Sequence, residues 1–151
     1  MLFHAPLPTD WPSFVLVFLL MAAATAGLGL LVGVVSSSNQ VTVLWSQLVY
    51  LPSILLGGMM VPTSMLPTAF RKVGLLLPTT YAMNAFQSVL PDGSPTFDPL
   101  WSVAVLAAGA VLAFGLAIYL FNWDNRNSTR RGHPLMGLLA LAPYVVGAII
   151  L

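Results

Sequence analysis

The chain alternates between long uncharged stretches and short polar breaks. From Trp11 to Phe70 no Asp, Glu, Lys, Arg or His occurs in 60 residues. A helix that crosses a bilayer core needs about 20 apolar residues, so this run has room for two crossings. Ser36-Ser37-Ser38-Asn39-Gln40 is the polar cluster within it and reads as a loop. The pattern therefore predicts span one over about 13–35 and span two over about 43–61. A further uncharged stretch predicts span three over about 100–121. A fourth, 134–151, carries Pro143 in its middle, and both a crossing and an interfacial position stay open for it. These stretches are apolar on every side and lack the ten-residue alternation of a closed barrel, so helices are expected. Trp11, Trp45, Trp101 and Trp123 each fall near a predicted span end, where indole rings settle at the headgroup level.

Residues 62–99 break the pattern. Six of the twelve prolines lie there, and prolines fragment a long helix. Two short helical stripes fit between them. In the first, Leu66, Ala69, Phe70, Val73, Leu76 and Leu77 share a face, with Thr68, Arg71 and Lys72 opposite, Ser64 as N-cap and Pro67 in the first turn. In the second, Tyr81, Ala82, Ala85, Phe86 and Val89 form the stripe, with Asn84, Gln87 and Ser88 off it and Thr80 as cap. At about 18 Å the first is too short to cross. The pair predicts a helical hairpin that dips into one membrane surface or lies flat on it.

Composition agrees with burial in lipid. Hydrophobic residues make up 58% of the 151 and charged residues 6%, against about 25% charged in soluble chains. A water-soluble surface and a disordered chain are both excluded. A net charge of +1 leaves no electrostatic footprint for nucleic acid. With no cysteine there is neither a disulfide framework nor a thiolate zinc site. The fold class expected is an all-α integral membrane protein, with three to four transmembrane helices plus the hairpin, in a single membrane domain.

Arg126, Arg130 and Arg131 sit together between spans three and four. By the positive-inside rule they place that loop in the cytoplasm. Spans one and three then run inward, span two runs outward and the hairpin is external; Arg71 and Lys72 oppose this bias. An external start with no signal peptide is what a chain missing upstream helices would show.

Candidate chemistry is sparse. Gly27, Gly29 and Gly33 have the spacing GxGxxxG inside a membrane-length helix, which is wrong for nucleotide binding. Ala22, Ala26, Gly29 and Gly33 instead line one helix face, suited to close packing against another helix; Ser53 with Gly57 and Ala104 with Ala108 repeat the spacing. His4 and His133 have no second ligand at metal spacing. The sequon Asn127-Ser128-Thr129 would lie on the cytoplasmic side. No HExxH, nucleophile elbow, paired carboxylates or P-loop occurs. Ion-driven transporters keep ionisable residues within their spans, and these spans have none. Energy for moving a solute would have to enter from a partner. Thr25, Ser46, Gln47 and Ser53 are the polar groups at membrane depth; they suit a path, and Ser and Thr equally bond back to their own helix.

The stretch from Leu28 to Gln87 resembles the C-terminal half of ABC-2 type permeases, the membrane subunits of ATP-binding cassette exporters. The matching pieces are Leu28-Gly29-Leu30-Leu31-Val32-Gly33, Leu51-Pro52 and Leu56-Gly57-Gly58-Met59-Met60-Val61-Pro62. They continue with Leu66-Pro67 and Leu76-Leu77-Pro78-Thr79-Thr80-Tyr81-Ala82. The resemblance implies that spans one to three correspond to the last three of six helices. It implies a homo- or heterodimer of permeases in a bacterial plasma (inner) membrane, with a cytoplasmic ATPase subunit binding ATP and no cofactor on this chain. Substrate would pass along the dimer interface, for which Ala22, Ala26, Gly29 and Gly33 are candidates. Pro62, Pro67, Pro78 and Tyr81 would belong to an external gate, and Ser36–Gln40 would touch the ATPase. The family's first three helices and main coupling loop are missing, and 134–151 would be an additional span. The rival readings are a non-transporting membrane scaffold or assembly protein and an inactive truncated permease; the missing catalytic groups disfavour an intramembrane enzyme.

Overall fold

The computed structural model describes residues 7–8, 10–121 and 134–151. Its regular elements are helical: α1 (Trp11–Val35), α2 (Asn39–Leu56), α3 (Thr68–Gly74), α4 (Pro78–Ser88), α5 (Pro99–Leu120) and α6 (Ala142–Ile150). 3₁₀ helices occupy Thr63–Met65 and Pro134–Leu141. The all-helical membrane fold read from the hydrophobic pattern is therefore the fold observed.

Local chemistry sets the helix ends. Asp10 caps α1 by accepting from the Ser13 N–H at 3.5 Å, with Pro12 in the first turn. Ser36 closes it, its hydroxyl donating to the Val32 carbonyl at 2.6 Å. Ser38 caps α2 by accepting from the Val41 N–H at 3.4 Å, so the polar cluster is both loop and cap, and α2 starts at Asn39 rather than near Val43. At its other end α2 stops at Leu56, not Val61. Gly57 and Gly58 follow, and Gly58 has φ +82°, a left-handed conformation that ends a helix. The result is an 18-residue helix, about 27 Å long. Among the described residues two helices are long and apolar enough to cross a membrane, α1 with 25 residues and α5 with 22.

α1 and α5 form the spine. Ala24 packs in one cluster with Leu106 and Ala110, and Leu31 in the next with Ala113 and Ala117. Numbers rise together along both helices, so the two run parallel. A Cβ built on Gly27 would sit 3.0 Å from the Ala113 Cβ, which marks the closest approach of the pair. α2 returns antiparallel through the three-serine loop and meets the rest mainly at its C-terminal end, where Ser53 is its buried residue.

The hairpin departs from its predicted shape. α3 begins at Thr68 with Pro67 as the capping residue, so Pro67 lies outside the helix rather than in its first turn. α4 begins at Pro78 after Leu77, without a side-chain cap. The Thr80 hydroxyl, expected to cap it, donates to the Gly74 carbonyl at 2.5 Å and ties α4 to α3. α4 is also not a surface element. Pro78, Thr79, Thr80, Tyr81, Ala82, Asn84 and Ala85 are all buried, wedged against α1 and α5.

The segment 134–151 runs back along α5. Ala140 packs with Leu31, Ala113 and Ala117 near one end, and Tyr144 with Ala110, Leu106 and Tyr81 further on. The 3₁₀ stretch of eight residues exceeds the usual three or four. Its steeper rise stretches the segment to about 30 Å, against about 25 Å for an α-helix of the same residues. That reach matches a hydrocarbon core.

Candidate functional site

A cleft of about 380 Å³ lies between α1 and α2, with Pro78 and Thr79 of α4 at its base. Met21, Leu28 and Val32 form the α1 wall, and Val49, Ile54 and Met59 the opposite one. The predicted polar groups Thr25, Ser46 and Ser53 converge on it, together with Tyr50 and Gly29. Gln47 does not line it. The Thr25 hydroxyl is held by its own helix, donating to the carbonyls of Met21 at 2.8 Å and Ala22 at 3.1 Å. The Ser53 carbonyl accepts from the Thr79 hydroxyl at 3.4 Å, across the α2–α4 contact. Gly57 makes that contact possible, because a Cβ there would collide with Thr79 Oγ1 and the Ser53 carbonyl. No Asp, Glu, Lys, Arg or His lines the cleft. Such a groove can admit an apolar or neutral group and offer it hydroxyls; it holds no side chain that could shuttle protons near neutral pH.

The small-residue face of α1 lies off the contact with α5. Ala22, Ala26, Gly29 and Gly33 are all exposed, and a Cβ added to Gly29 or Gly33 meets nothing within 4 Å. The chain's own packing uses Val17, Ala24, Gly27 and Leu31. α5 behaves likewise: Ala104 and Ala108 face outward, while Gly109, Ala113 and Ala117 face in. Of the predicted stripe and two pairs of small residues, Ser53 with Gly57 is the set that packs within the chain.

The gate residues divide in two. Pro62 and Pro67 are exposed and Pro78 and Tyr81 buried. Tyr81 is fully buried and pairs with a residue that the pattern did not single out, Tyr144, with ring centroids 5.9 Å apart. The two interlock through glycines. The Tyr81 hydroxyl lies over Gly147 and donates to the Tyr144 carbonyl at 3.4 Å, and the Tyr144 hydroxyl lies over Gly109. Asn84, expected on the polar side of α4, is buried too. Its amide donates to the Phe97 carbonyl at 2.9 Å and the Ser102 hydroxyl at 3.0 Å. Its oxygen accepts from the N–H groups of Thr96 at 2.7 Å and Phe97 at 3.2 Å. The signal available in the sequence was chemical rather than periodic: an Asn amid apolar residues needs partners. Arg126, Arg130, Arg131, His4, His133 and the sequon lie outside the described residues.

The model of the ABC-2 type transporter family matches residues 1–90, from the first helix through α4. The chain belongs to that family. It is a membrane protein, and the family is one of transport components. Permeases of this family typically work with an ATPase subunit. The chain is also 28% identical over 115 residues to Nodulation protein J of Rhizobium meliloti (strain 1021), an alignment covering 74% of this chain and 44% of that protein. It thus spans less than half the length of the curated relative it matches. No solved structure matches it.

Proposed function

We propose that the chain supplies the second half of a permease subunit of an ABC-2 exporter in a bacterial plasma membrane, driven by a separate ATP-binding cassette subunit. Family membership carries the reading, and the charge-free lining of the α1–α2 cleft supports it. Helices without ionisable groups cannot couple to an ion gradient through their own side chains, so work must reach them from an attached motor. ATP is then the partner's ligand and this chain needs no cofactor.

The outward face of Ala22, Ala26, Gly29 and Gly33 is open to a second permease, which suits a homo- or heterodimer with substrate passing along the interface. In this arrangement the 122–133 loop with Arg126, Arg130 and Arg131 is cytoplasmic, as is the three-serine turn that would touch the ATPase. The α3–α4 end, including Pro62, Pro67, Pro78 and Tyr81, is external and acts as the gate.

Purification of the tagged full-length protein from its native membrane tests this. An ATP-binding cassette subunit should co-purify, and transport in vesicles should stop when that subunit's hydrolysis is blocked. Uphill transport with no nucleotide hydrolysis would overturn the proposal.

A further inference from the structure

At the α3–α4 end lies a second pocket, of about 160 Å³. Arg71 of α3 lines it together with Thr63, Thr96, Gln87 and Asn84. Among its lining residues Arg71 is the one cation, and no Asp or Glu is present. Guanidinium presents five N–H donors and no acceptor, in a fork that fits phosphate oxygens. Asn84 is already saturated by its four bonds. Thr63 and Thr96 hydroxyls lie 3.4 Å apart, so one proton serves the pair and the other remains to be donated outward. Gln87 adds an amide. The pocket is therefore rich in donors, with Arg71 as its one charged side chain, and Leu151, the last residue of the sequence, also lines it.

Its height in the bilayer identifies the anion. Trp11 and Trp101 begin α1 and α5 at this same end, 56% and 44% exposed, as indoles at a headgroup boundary are. Phe14, one turn into α1, packs against Phe86 of α4 with tilted rings 5.3 Å apart, which fixes α4 at that level. α3 exposes Phe70 at 54% and Val73 at 48%, apolar side chains beside a cation, the composition of a helix lying in the interface. We propose that this pocket seats the phosphate of a phospholipid headgroup, with Arg71 as charged donor and Gln87 and one hydroxyl of the Thr63–Thr96 pair as neutral donors. Phe70 and Val73 then rest against the same lipid's acyl chains. This site does not depend on the ATPase assignment.

Native mass spectrometry of the full chain, after delipidation and addition of phosphatidylglycerol or of a phosphate-free diglucosyl diacylglycerol, tests it. Phosphatidylglycerol should be retained and the glycolipid should not. Arg71→Ala should cut retention about tenfold, the loss expected for charge-assisted bonds, whereas Lys72→Ala, whose side chain does not line the pocket, should leave it unchanged. Gln87→Glu, near-isosteric, places a carboxylate in the pocket and should expel the lipid with the fold intact by circular dichroism. Equal retention of both lipids, or undiminished retention in Arg71→Ala or Gln87→Glu, would overturn the proposal. So would thermal stabilisation by inorganic phosphate with no lipid retained, which would make a soluble anion the ligand.

Discussion

Replacing Asn84 with Ala removes a side chain that fastens the 89–98 connection to the bundle. Four hydrogen bonds disappear together, to Thr96, twice to Phe97 and to Ser102. An asparagine amide has two N–H donors and two acceptor positions, so Asn84 is fully used, and Ser102 beside it is fully buried. A hydrogen bond inside a membrane protein is worth about 0.6 kcal/mol on average, and one inside a soluble protein about 1 kcal/mol. Four of them give about 2–4 kcal/mol. Ser102 and the two backbone N–H groups are left without their partner, which pushes the loss toward the upper end. For a chain of this size each kcal/mol moves the melting temperature by about 2–4 °C, so Asn84→Ala should melt roughly 5–15 °C lower in detergent. Limited proteolysis should show the first new cleavage between Val89 and Asp98, because the freed backbone lies there. Asn84→Asp keeps the acceptor and loses both donors, and should fall between the two. A shift below about 2 °C, or cleavage appearing first in the three-serine loop, would refute this account of the network.

Tyr144→Phe should be neutral or raise stability by up to about 1 kcal/mol, since its buried hydroxyl has no hydrogen-bond partner among the described residues. Tyr144→Ala should cost about 3–5 kcal/mol by emptying the space over Gly109, both being read by thermal melting. Gly57→Ala should lose about 1–3 kcal/mol through collision with Thr79 and the Ser53 carbonyl; an unchanged melting curve would show that α2 does not dock on α4 as described. A Cβ added at Gly29 or Gly33 meets nothing within 4 Å, so Gly29→Ala and Gly33→Ala should leave monomer stability within about 0.5 kcal/mol. If the outward face of α1 joins two permeases, cross-linked dimer should nonetheless fall severalfold in both variants.

The spans were legible because length and apolar content suffice to find them: α1 and α5 lie within two residues of the expected bounds at each end. The end of α2 was less so. Hydropathy continues through Met59, Met60 and Val61, and it is the left-handed Gly58 that stops the helix. Which way α1 faces was not legible at all. It is apolar all round, so no polar side marks the outside, and two sets of small residues compete for the inside. The contact with α5 takes Ala24 and Gly27, a choice set by the shape of Ala113 and Phe114 and invisible until the partner helix is known.

α4 shows the more general reason. Its apolar stripe was placed inside and its polar residues outside, as for a helix in water. In a bilayer the solvent is apolar, and a polar side chain gains by turning toward protein. Thr79, Thr80 and Asn84 do so, each bonded to another segment. The same inversion explains α2. Leu44, Leu48, Leu51 and Leu55 recur at helical spacing and are all more than half exposed, while Ser46, Tyr50 and Ser53 recur on another side and line the cleft. The leucine stripe is the one to expect against lipid. The Ser–Tyr–Ser stripe is the one to expect against protein or cargo, so the α1–α2 cleft, not the leucine face, is where this chain has chemistry to offer.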